Sequence, residues 1–97
     1  MDRKSGASSF SRYGDKFAEL LPQLRHKAGL TQEGLAQRLG RRQSFIGKIE
    51  TKERRVNIDE FPRIAQALTR DPAKLFAEIH RAVLEDEAMR EDPRKTR

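Results

Sequence analysis

Apolar residues recur every three or four positions in five segments of the chain, the periodicity of helices that each bury one stripe. No segment alternates apolar and polar residues as a half-buried strand would. In the first segment Phe17, Leu20, Leu21 and Leu24 share a face, which predicts a helix from about Asp15 to Ala28, ended by Gly29. Pro22 lies within it and predicts a bend; alternatively the helix proper starts near Leu21, with Pro22 at its first position. Thr31 is a good N-cap for a second helix that turns Leu35, Ala36 and Leu39 inward and ends at Gly40. A third, from about Arg42 to Glu50, buries Ile46 and Ile49, and a charged loop covers residues 51–57. A fourth, about Asp59 to Leu68, buries Phe61, Ile64, Ala65 and Leu68. Asp71 and Pro72 open a fifth that reaches about Met89 and carries Leu75, Phe76, Ile79, Val83 and Leu84.

These elements predict an all-α fold in one domain over residues 14–90, with an extended C-terminal helix. A polar, Ser-rich arm precedes it over residues 1–13 and a charged tail follows over residues 91–97. Composition narrows the function. The 97 residues hold 21 Lys and Arg against 15 Asp and Glu, a net charge of +6, which favours an anionic partner. Cysteine is absent and the two histidines lie far apart, so no metal or other cofactor is expected. His26 and His80 read as surface residues, and Glu85, Asp86 and Glu87 as a solvated helix end. No apolar run suits a membrane span or a signal peptide, so a cytoplasmic protein with no membrane partner is expected. With no catalytic constellation in view, the chain is not expected to be an enzyme.

The stretch from Thr31 to Glu50 is the informative one. Two short helices joined by a few residues that open with glycine have the spacing of a helix-turn-helix. Ala36 is small where such helices must approach, and Leu39 and Ile46 flank the turn. The outer face of the second of these helices shows Gln43, Ser44, Gly47 and Lys48, side chains that suit a major groove about 12 Å wide. Residues 41–55 carry six basic and two acidic side chains, and this charge sits beside that face.

With these residues in view the chain resembles the lambda-repressor-like, or Xre (Cro/C1-type), helix-turn-helix family. The likeness runs from about residue 17 to 77. It rests on Leu24-Arg25, Ala28-Gly29-Leu30-Thr31-Gln32, Leu35-Ala36, Leu39-Gly40, Gln43-Ser44-Phe45-Ile46, Lys48-Ile49-Glu50, Glu53-Arg54-Arg55, Ala65, Ala67-Leu68 and Asp71-Pro72. The resemblance implies a compact five-helix domain that binds double-stranded DNA as a homodimer through its third helix. It implies base contacts from Gln43, Ser44 and Lys48, with Gln43 able to pair with adenine N6 and N7. Backbone contacts would come from Gln32, Arg41, Arg42, Lys52, Arg54 and Arg55. Arg25 and Glu50 match a pair that bridges the first and third helices in family members. Three positions depart from the family: Gly47, often polar; Phe45, often tyrosine or serine; and Lys52, often glycine.

The fifth helix has more apolar positions than one stripe needs. Leu75, Ile79, Val83 and Leu84 are therefore candidates for a dimer interface, the plainer alternative being that the helix caps the core. The expected function is a bacterial or phage transcription regulator, a repressor of its own operon on a palindromic operator. Restriction-modification controllers and regulators of anti-defence operons are of this kind. The rivals are an antitoxin-type module with a protein partner and an RNA binder. The N-terminal arm, with Arg3, Lys4 and Arg12, could track a phosphate or minor groove, but reads more readily as disordered.

Overall fold

A computed structural model describes residues 11–90 of the chain. Among the described residues there are five helices and no strand: α1 (Arg12–Lys27), α2 (Gln32–Arg38), α3 (Gln43–Glu50), α4 (Glu60–Leu68) and α5 (Pro72–Arg90). This is the all-α, five-helix arrangement expected of a lambda-repressor-like domain, with α5 extended to 19 residues.

The helix α1 begins at Arg12, three residues earlier than the apolar stripe predicts. Ser11 supplies the reason: its hydroxyl accepts the Gly14 N–H at 3.0 Å and caps the first turn. Tyr13 thus belongs to the helix rather than to an arm, and residues 1–10 and 91–97 of the expected arm and tail lie outside the described residues. Pro22 sits inside α1, so a helix starting near Leu21 is ruled out. The lost hydrogen bond is offset by burial of Phe17, Ala18 and Leu21 along the same helix.

Three helices end alike. At the end of α1 the Gly29 N–H bonds to the His26 carbonyl and the Leu30 N–H to the Arg25 carbonyl. At the end of α2 Gly40 bonds to Gln37 and Arg41 to Ala36, and at the end of α3 Lys52 bonds to Ile49 and Glu53 to Lys48. Each pair is a Schellman closure, which needs a left-handed residue just past the helix. Gly29 (φ +73°) and Gly40 (φ +68°) supply it freely, and Lys52 (φ +67°) supplies it with a side chain. The Gly40 closure sets the sharp turn between α2 and α3.

Ahead of α4, Asn57 and Glu60 bond reciprocally: the Glu60 N–H donates to Asn57 Oδ1 at 2.8 Å and the Asn57 N–H to Glu60 Oε1 at 3.1 Å. The Asp71 carboxylate caps α5 by accepting the Lys74 N–H at 3.0 Å.

All five helices contribute to one core, with Leu21, Leu35, Ile46, Ile49, Ile64, Ile79 and Val83 fully buried. This corrects the expected dimer interface. Leu75, Ile79 and Val83 are 4%, 1% and 2% exposed because their face of α5 closes the domain's own core. Leu84 and Phe76 stay exposed, the Phe76 ring lying against Tyr13 and Phe61. Tyr13, Ile58 and Met89 are the other large apolar side chains exposed among the described residues, and Tyr13, Ile58 and Phe76 line one cleft.

Candidate nucleic-acid interface

The helix α3 has only eight residues, too few to hold a helix in water alone. Its Arg42 N-cap makes no side-chain bond. Its setting is therefore imposed by neighbours. Ile46 and Ile49 anchor its inner face, with Phe45 buried beside them. Ser44 and Lys48 remain exposed, and Gly47 lies between them on the outer face.

One edge of α3 is held by a chain of polar contacts. Arg25, the one buried charged residue among the described residues, donates from Nε to Glu50 Oε2 at 2.6 Å and from Nη2 to Glu50 Oε1 at 3.2 Å. Its Nη1 donates to the Leu30 carbonyl at 3.2 Å. Gln32, the first residue of α2, donates to Glu50 Oε1 at 2.8 Å, and Gln43 donates to Gln32 Oε1 at 2.5 Å. The contacts thus run from a buried arginine to an exposed amide at the start of α3. The expected bridge between Arg25 and Glu50 is present as a bidentate pair.

The opposite edge carries Phe45. The guanidinium groups of Arg41 and Arg54 lie over its ring at 4.2 and 4.7 Å from the centroid. Glu60 holds both arginines: Arg54 donates from Nη1 and Nη2 at 2.8 and 2.7 Å, and Arg41 Nη2 lies 3.5 Å away. The hydrogen bonds from Arg54, above all, hold the Glu60 carboxyl at about 2 against the opposing effect of burial.

The structure sorts the sequence-predicted backbone contacts into two groups. Arg42 and Arg55 are exposed and make no side-chain ion pair among the described residues; Lys48 on α3 shares that condition. Arg41, Arg54 and Lys52 are engaged within the molecule. Lys52 bonds to Glu19 at 2.8 Å, which raises its pKa. Sequence reasoning missed the role of Glu60 and the guanidinium contacts of Phe45. The Asn57-to-Glu60 spacing ahead of an apolar run was a legible capping signature. The approach of Arg54 to Phe45 had no local signal.

A five-helix domain whose short third helix is steadied at both edges, with polar and basic residues on its outer face, is of the helix-turn-helix, DNA-binding class. The sequence matches the family described as helix-turn-helix domain over residues 16–76, more than half of its length, and the chain belongs to that family. No curated protein matches the sequence. No helix among the described residues is long and apolar enough to cross a membrane.

Proposed function

We propose that the chain is a transcription regulator of the Xre (Cro/C1) type. It acts in the cytoplasm of a bacterium or phage host as a repressor of its own operon and binds an inverted repeat as a homodimer, without enzymatic activity. The observation that carries this reading is the joining of Gln43 through Gln32 and Glu50 to the buried Arg25, which fixes an amide at the start of α3. A preset amide loses little rotamer freedom on reading a base. Gln43, Ser44 and Lys48 are assigned to base edges; Gln32, Arg42 and Arg55 to the sugar-phosphate backbone. The homodimer is assigned to the exposed apolar residues of α5, Phe76 and Leu84, since the other predicted residues of α5 are buried.

The test is selection of bound sites from a pool of random duplexes, followed by two variants. Gln43→Ala is expected to relax preference at one base pair and to weaken the selected site by about 1–3 kcal/mol. Arg55→Ala is expected to weaken every duplex alike and to lower the log–log salt slope by about one. Equal losses on selected and random DNA for Gln43→Ala would refute its reading role. The exposed apolar surface also supports a second reading, an antitoxin-type protein that binds a different partner there. Sedimentation distinguishes the two: the purified protein is dimeric under the first and monomeric under the second.

A further inference from the structure

The four side chains Arg41, Phe45, Arg54 and Glu60 lie together at one edge of α3, where Phe45 joins the core and the two guanidinium groups lie over its ring. Phe45 is 9% exposed, yet charged groups lie over its ring. Beside it is a cleft of about 40 Å³ lined by Leu39, Arg41, Phe45, Glu60, Arg63 and Ile64. Phe45 precedes Lys48 by three residues and shares its side of the helix. Any rotation of α3 about its axis that moves the ring also moves Lys48 and Ser44.

Arg54 spends three of its five N–H groups inside the molecule, two of them on Glu60. Its Nη1 donates to both Glu60 and the Arg55 carbonyl, and its Nη2 to Glu60. The Glu60 side chain is only 12% exposed, and its Oε1 also accepts the Asn57 N–H. Departure of Arg54 would leave a nearly buried carboxylate short of its main partner.

We propose that this cluster is a positioning device: Glu60 holds Arg54 and Arg41 against Phe45, and this fixes the rotation of α3 and with it the discrimination between duplex sequences. Arg54 then acts through Phe45 rather than as a phosphate contact. The inference rests on the DNA-binding reading above and assigns residues that the reading left without a role.

The test uses the full chain, a duplex recovered from a randomised pool, and a random-sequence duplex of equal length. Arg54→Gln is expected to lower the ratio of the two affinities about tenfold and to leave the salt slope on random DNA unchanged. Glu60→Gln keeps a side chain able to complete the box with Asn57 and releases two arginines. It is expected to lower the ratio similarly while steepening the slope by up to about two, one for each released arginine. If Arg54→Gln instead flattens the slope by one and preserves the ratio, Arg54 is a phosphate contact and the proposal falls. It falls equally if Glu60→Gln leaves the ratio unchanged. Should Arg54→Gln melt below the assay temperature, Phe45→Leu retains the apolar burial, removes the ring and must show the same fall in ratio. A wild-type protein that enriches no duplex overturns the DNA-binding reading itself, and the positioning role with it.

Discussion

The contact between Arg25 and Glu50 gives the sharpest test of how α3 is held. Their side chains are 11% and 8% exposed, so each charge depends on the other. Glu50→Ala removes the acceptor of two Arg25 bonds and one Gln32 bond. Stranding a buried charge costs about 3–5 kcal/mol. A domain of this size has a total stability of roughly 4–12 kcal/mol. The variant should therefore lose about a quarter of its stability or more, and its melting temperature should fall by roughly 12–40 °C. Replacing both partners by methionine removes both buried charges together, and the double variant should recover at least half of the loss, because no charge is left unpaired. The assay is urea unfolding followed by helical circular dichroism, suited to a chain without tryptophan. A single-variant cost below about 1 kcal/mol would refute the reasoning. So would a double variant whose cost equals the sum of the two singles.

Two further outcomes follow from the same structure. Glu60 titrates near 2 in the folded protein against an ordinary 4.5. A lowered carboxyl pKa contributes stability that is fully present above about pH 4.5 and is lost as the pH falls through about 2. Because Arg54 is 36% exposed, the contribution is discounted for solvent screening to about 1–2 kcal/mol, and Glu60→Gln should flatten the acid limb of stability by that amount. Gly47 lies inside α3, and a Cβ there would meet Gln32 Oε1 at 3.5 Å and Gln43 Nε2 at 3.8 Å, ordinary contacts. Gly47→Ala should thus raise stability by about 0.5–1 kcal/mol; because Gly47 lies on the outer face of α3, where its missing side chain would let the backbone come close to a groove, the same change should weaken duplex binding, and unchanged binding would sink that close approach.

The five helices were legible because each buries a stripe of period 3.6, and because Thr31, Gly29, Gly40 and Asp71 are strong boundary residues. The start of α1 was misplaced because a Ser cap acts through one hydroxyl and leaves no apolar trace. The α5 assignment erred for a different reason. Periodicity shows that Leu75, Ile79 and Val83 share a face, but whether that face meets the same chain or another is a tertiary matter. Lys52 was legible only as a departure from glycine; its left-handed backbone explains the family preference at that place. The bond between Arg25 and Glu50 spans 25 positions and came from resemblance rather than pattern.

Counting basic residues also overstates the surface offered to an anion. Residues 41–55 hold six cations, but Glu60 and Glu19 lie outside that window and engage three of them, Arg41, Arg54 and Lys52. The remaining three, Arg42, Lys48 and Arg55, flank the start, the outer face and the far loop of α3. The division has a physical logic. A helix of eight residues cannot orient itself, and apolar contacts at Ile46 and Ile49 fix its depth better than its rotation, since apolar attraction has no direction. Hydrogen-bonded charges do have direction. Placing one such group at each edge, Glu50 with Arg25 and Glu60 with Arg54, sets the angle at which Gln43, Ser44 and Lys48 face outward. On this view much of the chain's charge serves to aim the helix, and only the remainder attracts the polyanion.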